Sequence, residues 1–262
     1  MVGIEGQHRG GPLETVRGRI VVGADGRNSL VARAVEAPTD ETVPPQACWT
    51  YAYWREVPVN GLEWYWRDGS FVLGIPTTDG LTCVMVGKPI DALRTMDEAT
   101  YRETLAIAPR FEAATEDREP VGDYTTTAIP NFYRRPHGPG WALVGDAGLC
   151  MDPLMGHGIS DAFCDAELLG GAIDEGLTGR TPMEGALWDY ERERNERAST
   201  YYEPNWRAAA LEGWDSPREQ RLRRAIADTP AQADRWAGTI ARSVDREDFY
   251  SSRFVEKARA GD

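Results

Sequence analysis

A short apolar run, Trp141-Ala142-Leu143-Val144, breaks at Gly145-Asp146-Ala147-Gly148, and Pro153 and Gly156-His157-Gly158-Ile159-Ser160 follow it. The run reads as a buried strand that ends in a Gly-Asp turn and then enters a long helix through a glycine pair. Glycine lets the backbone come close to a bound molecule, and aspartate can accept hydrogen bonds from sugar-like hydroxyls. The first amides of a helix have no partners within it, and the helix dipole favours negative charge at that end. A carboxylate at a strand end facing a helix N-terminus therefore suits a ligand with hydroxyls and developing negative charge. The plainer reading is a glycine-containing loop before a core helix.

A second stretch has the same grammar. Val21-Val22-Gly23-Ala24-Asp25-Gly26-Arg27-Asn28-Ser29 reads as a strand end, a turn and a short helix over 29–37 that Ser29 can cap. Asp25 would stand at the carboxyl edge of a strand, where ligands bind in α/β folds. Asp-Gly also serves simple turns for backbone reasons. Together the two stretches favour a ligand site.

The start of the chain reads as a strand over 1–6, a hairpin turn at Gly10-Gly11-Pro12 and a second strand over 15–22. From Ala47 to Pro89 the pattern is β. Trp49, Tyr51 and Tyr53 alternate, as do Trp64 and Trp66, with turns at Asp68-Gly69 and Asp79-Gly80. Residues 97–107 read as a helix that stops before Pro109, and the Thr-rich segment 121–129 as a strand. After Trp141 the chain turns helical, with expected helices over 158–175 and 183–211, the latter open to interruption at Pro204. Two or three shorter helices follow from Ser216, the first bounded by Pro230.

The net charge of −13 leaves no basic stripe for nucleic acid or an anionic membrane surface. No run approaches the ~18 apolar residues needed to span a bilayer. Cys48, Cys83, Cys150 and Cys164 are widely spaced, which fits free thiols in a reducing cytoplasm better than disulfides or a metal site. His8 and His137 fall in expected loops with no metal spacing, and His157 sits between the glycines as a loop residue.

The two Asp-Gly and Gly-Asp stretches, taken at their spacing, resemble those of the group A flavoprotein monooxygenases, the para-hydroxybenzoate hydroxylase-like flavoproteins. The resemblance covers nearly the whole chain. It implies that Asp25 and Gly26 lie near the pyrophosphate of FAD, and that Gly145 and Asp146 bind a hydroxyl of its ribityl or ribose portion. It also implies that Pro153, Gly156, Gly158, Ile159 and Ser160 border the flavin ring, with the backbone amides of Ile159 and Ser160 reaching flavin O2. Asp165-Ala166 fits the same pattern. This sequence departs from it at Arg33, one place late; at Leu149, which replaces a histidine; at Asp152, which replaces the first of two prolines; and at Ser160, which replaces asparagine.

The implied fold is α/β: a partial FAD-binding domain over 1–45, an antiparallel-sheet substrate domain over 46–135, the rest of the FAD-binding domain over 136–180, and helices over 181–262. The implied activity is NAD(P)H-dependent hydroxylation of a small organic substrate by O2, with the aromatic sheet lining the substrate cavity or simply packing a sheet face. Family members begin with a Gly-x-Gly-x-x-Gly turn that holds the ADP half of FAD. No such turn occurs in these 262 residues. The chain is therefore expected to correspond to the C-terminal two-thirds of a longer flavoprotein, to hold little FAD alone, and to leave self-association into a homo-oligomer open. Two alternatives stand beside this: a geranylgeranyl-reductase-like or halogenase-like flavoenzyme, and a non-catalytic fragment. No catalytic residue and no substrate identity is legible.

Overall fold

The computed structural model describes residues 3–92 and 96–261. The chain divides into two compact units, 1–45 with 129–206 and 46–128 with 207–262. No helix among the described residues is long and apolar enough to cross a membrane.

The first unit opens with an antiparallel hairpin, β1 (Gly3–Gln7) and β2 (Leu13–Arg17). Met1 and Val2 lie outside the described residues. The strand expected over 15–22 is two strands, because its halves have different partners. β2 pairs with β1, whereas β3 (Val21–Gly23) lies parallel to β12 (Trp141–Leu143). Between them in sequence come α1 (Leu30–Ala34), whose Ser29 cap accepts a hydrogen bond from Ala32 N–H at 2.9 Å, and β4 (Thr39–Val43).

The second unit is built on a five-stranded sheet in the order β6-β7-β8-β5-β9. Its strands are β5 (Ala47–Arg55), β6 (Glu63–Arg67), β7 (Ser70–Pro76), β8 (Leu81–Pro89) and β9 (Thr125–Ala128). Period-two alternation puts Ala52 and Trp54 on one face, packed with Val72, Val84, Val86 and Phe111. Trp54 donates to Tyr101 Oη at 3.0 Å, which in turn donates to the Val84 carbonyl at 3.0 Å. Trp49, on the opposite face, is buried edge-on against Phe71. Both tryptophans thus serve the core of the sheet.

Helices α2 (Glu98–Leu105) and α3 (Pro109–Thr115) contribute Tyr101, Leu105 and Phe111 to that core. Pro109, expected only to stop α2, also opens α3, because the first helical position needs no N–H donor.

Back in the first unit, β10 (Asn131–Arg134) pairs with β4 and with β13 (Leu149–Cys150), while β11 (His137–Gly138) pairs with β12. His137 is therefore in a short strand rather than a loop. It is buried, with Nε2 3.1 Å from Glu191, and burial pushes its pKa below the usual imidazole range.

Helix α4 (Gly158–Thr178) packs through Leu169 and Ala172 against α5 (Met183–Ala209), which contributes Ala186, Leu187 and Tyr190. The Tyr190 hydroxyl donates to the Leu143 carbonyl at 2.7 Å, tying α5 to β12. Pro204 lies within α5 and does not interrupt it. The missing N–H removes one hydrogen bond, while Tyr202 and Asn205 on either side are buried and hold the helix in place.

Four short helices close the second unit: α6 (Pro217–Ala227), α7 (Pro230–Ile240), α8 (Arg246–Tyr250) and α9 (Arg253–Ala260). They exceed the two or three expected: Ser216, Asp245 and Ser252 cap α6, α8 and α9 through their side chains, and α7 opens at Pro230. The β6–β7 turn is joined to the segment before α6 by reciprocal bonds between Asp68 and Asp215, 2.9 and 3.0 Å, and by Trp66 against Trp214 with ring centres 4.1 Å apart.

Candidate functional site

Parallel pairing of β3 with β12 sets their two following turns side by side, and Val144 N–H donates to the Gly23 carbonyl at 3.0 Å. The carboxyl ends of these strands and the first turns of α4 enclose a pocket of about 580 Å³. Ala24 and Gly26 line it from one turn, Gly145 and Asp146 from the other, and Gly158, Ile159, Ala162 and Phe163 from α4. Gly26, Gly145, Asp146, Gly158 and Ile159 are thus brought together from three separate parts of the sequence. Gly145 has φ of 58°, and a Cβ there would stand 3.1 Å from that of Ala162, so glycine is what lets α4 come this close.

Asp146 is solvent-accessible at the rim of the pocket. Desolvation pushes its pKa above the usual carboxylate range; Arg27 pulls the other way, and the Asp161 carboxylate adds to the rise. An accessible acceptor with an unfavourable charge gains from a hydrogen-bond donor or a neighbouring cation. Across from it, His157 precedes the first residue of α4 and provides no side-chain cap. The N–H groups of Gly158, Ile159 and Ser160 have no protein acceptor among the described residues. Beside them, Ile159 and Phe163 are 76% and 74% exposed. They present an uncovered apolar wall.

Asp25 is turned to a different task. Its Oδ2 accepts from Leu30 N–H at 2.6 Å and Val31 N–H at 3.2 Å, at the start of α1. Desolvation is the largest influence on its pKa and raises it, but the hydrogen bonds from Ser29, Val31 and Leu30 together outweigh it and hold the group below its ordinary value. Gly26, one residue on, is the part of that turn that reaches the pocket. Pro153, Gly156 and Ser160 do not line it. Pro153 opens a 3-10 turn over Pro153–Met155, Gly156 closes it with φ of 70°, and Ser160 is exposed on the first turn of α4.

Arg27 lies within the first glycine-acid stretch without being singled out there, and Ala162 and Phe163 belong to no motif that the sequence displays. The i, i+4 spacing of Ile159 and Phe163 is the signal that could have found the apolar wall. Behind the pocket, α4 is held by charge. Asp161 and Asp165 are buried on its inner face, and Arg197 from α5 pairs with Asp165 and lies 4.0 Å from Asp161.

An apolar wall, an accessible carboxylate and open helix amides fit a flat aromatic ring that carries a hydroxylated chain. Comparison with known proteins points to the same kind of group. A model of the FAD binding domain matches residues 4–203. A tryptophan 2-halogenase from Chondromyces crocatus is 26% identical over 201 residues, covering 70% of this chain and 37% of that enzyme. Among solved structures, the flavin-dependent brominase Bmp2 aligns with a TM-score of 0.66 at 20% identity, covering 84% of this chain and 59% of that one. The p-nitrophenol 4-monooxygenase PnpA from Pseudomonas putida aligns with a TM-score of 0.67 at 17% identity, covering 84% and 56%. The chain therefore spans little more than a third of that curated relative and under two thirds of the two solved structures. With the family model covering most of its length and both glycine turns meeting at one pocket, the chain belongs to the FAD-binding domain family of para-hydroxybenzoate hydroxylase-like monooxygenases.

Proposed function

We propose that the pocket takes the ring and hydroxylated chain of FAD, in a protein that carries out NAD(P)H-dependent hydroxylation of a small organic substrate. The observation that carries this reading is the convergence of Asp146 and the open first turn of α4, at Gly158 and Ile159, on one apolar pocket. Asp146 would accept hydrogen bonds from the ribityl or ribose hydroxyls. The α4 amides and the helix dipole would hold the pyrimidine edge of the ring, where negative charge collects on reduction. Ile159, Ala162 and Phe163 would exclude water from one side. Gly26 would let the backbone near Asp25 approach the pyrophosphate. When bound, FAD supplies electron transfer from NAD(P)H to O2 and delivery of one oxygen atom to the substrate.

Halogenation is a second reading, favoured by the match to a tryptophan 2-halogenase. The two divide on products. A flavin-loaded preparation supplied with NAD(P)H, O2, bromide and phenolic or indolic probes should yield hydroxylated compounds under the first reading and brominated ones under the second.

The cofactor reading has its own test. No Gly-x-Gly-x-x-Gly turn exists in these residues to grip the ADP half. Residues 1–262 should therefore bind riboflavin and FAD with affinities within about tenfold of each other. Both should weaken when Asp146 is changed to Ala. Quenching of flavin fluorescence measures this, and a chain that binds neither flavin in a saturable way overturns the reading.

A further inference from the structure

Asp152 stands between β13 and the turn that leads into α4, and its peptide group is held from both sides. Asn131 on β10 accepts the Asp152 N–H through Oδ1 at 2.7 Å. Asn205 on α5 donates from Nδ2 to the Asp152 carbonyl at 2.8 Å. The Asp152 carboxylate accepts Leu154 N–H at 3.0 Å. Asn131 is 0% exposed, and Asn205 and Asp152 are each 3% exposed. Two distant elements thus converge on one buried peptide, where an unmade hydrogen bond is costly.

The backbone there has the geometry of a proline without the ring. Asp152 has φ of −52° and ψ of 140°. That φ lies within the range a proline ring imposes, and that ψ suits a residue preceding a proline, here Pro153. Proline would fix φ covalently and would carry no N–H for Asn131 to accept. Aspartate leaves φ free in the unfolded chain, so the fold must fix it by contacts.

We propose that Asn131 and Asn205 are positioning residues, which set the Asp152 peptide by hydrogen bonds where a proline ring would set it by covalent geometry. The clamp fixes the 3-10 turn over Pro153–Met155, the left-handed Gly156 and hence the point at which α4 begins at Gly158. Its consequence for flavin binding rests on the cofactor reading given above. The clamp itself does not.

Amide hydrogen exchange on the full chain without ligand tests it, because exchange reports local opening residue by residue. Asn131→Ala should speed exchange at Leu154 and Gly156 by about 5- to 30-fold, the effect of one or two kcal/mol. Exchange in β5, β7 and β8 should be unchanged. In an Asp152→Pro background the N–H is gone, and so is the carboxylate that accepts Leu154 N–H, so Gly156 is the readout there; adding Asn131→Ala should change its exchange by no more than about twofold, in keeping with a lost coupling. Asn205→Ala should keep its full effect there, since the carbonyl remains.

Unchanged exchange at Leu154 and Gly156 in Asn131→Ala would overturn the proposal. So would uniform loosening of the whole first unit, or an Asn131→Ala effect at Gly156 that persists at full size in the Asp152→Pro background. Riboflavin titration separates the clamp from the cofactor reading. A local exchange response with wild-type riboflavin affinity keeps the clamp and overturns its link to the pocket; weaker riboflavin binding supports both.

Discussion

Replacing Arg197 with methionine should cost the protein about 3–5 kcal/mol, the usual consequence of leaving a buried charge without its partner. The structure says why the figure belongs at this position. Asp165 is 1% exposed, its Oδ1 is paired with Arg197, and its Oδ2 has no hydrogen-bond partner among the described residues. Desolvation already raises the Asp165 pKa; Arg197 is the strongest opposing influence, Arg194 the next, and the nearby Asp161 carboxylate adds to the rise. Without Arg197, Arg194 alone opposes burial, and the folded pKa climbs further above its unfolded value. A group raised in this way binds more protons folded than unfolded, so its penalty is absent at low pH and appears as pH rises through the folded pKa. The gap between wild type and Arg197→Met should therefore widen from pH 5 to pH 7. At pH 7 the melting temperature should fall by roughly 6–20 °C, at 2–4 °C per kcal/mol for a chain of this size. Asp165→Asn added to Arg197→Met should recover most of the loss, because the orphaned charge is gone. Urea denaturation and thermal melts followed by circular dichroism at both pH values measure all three proteins. A loss below about 1 kcal/mol, a gap that does not depend on pH, or a double variant no better than Arg197→Met would refute the reasoning.

Three further expectations follow from the same geometry. Gly74→Ala would place a Cβ 2.2 Å from Phe111 Cζ inside the sheet core, and should destabilise by about 1–3 kcal/mol in a denaturant titration, with Phe111→Leu in the same chain relieving part of it. Asp146→Asn removes a carboxylate whose ionisation desolvation opposes, so thermal stability at pH 7 should hold or rise, while the amide oxygen keeps an acceptor for the flavin hydroxyls. Flavin affinity unchanged in Asp146→Ala would count against the acceptor role. Of the thiols, exposed Cys164 should react promptly with a disulfide reagent at pH 8, whereas Cys83 and Cys150, pushed up by burial to about 11 and about 12, should react slowly until the chain unfolds.

Much of the site is legible in the sequence because its signals are local. Glycine-acid turns, a Ser29 cap and the alternation from Trp49 to Tyr53 are set by neighbours within a few residues. The same locality limits what Asp25 can tell. Its side chain answers to the amides of Leu30 and Val31, a turn role that any Asp-Gly sequence can fill. Strands β4, β10 and β13 escape a reading by pattern because Thr39–Val43 is polar and the other two are very short; their identity as strands depends on each other rather than on composition. The division of 15–22 between two partners, and the continuity of α5 through Pro204, likewise depend on contacts from far along the chain.

The sequence by itself determined that an α/β chain with two glycine-acid turns, an aromatic antiparallel sheet and a long helix entered at Gly158 would form. Turn chemistry, side-chain period and helix capping act over three or four residues and need no partner. Only the tertiary structure decided that Gly26, Gly145, Asp146 and Gly158 border one pocket, that Phe163 forms its wall, and that Asn131 and Asn205 grip Asp152 from opposite sides. Those relations join residues tens of positions apart, and they arise only when β3 settles beside β12 and α4 packs on α5, because burial and strand pairing reward contacts that no local stretch can specify.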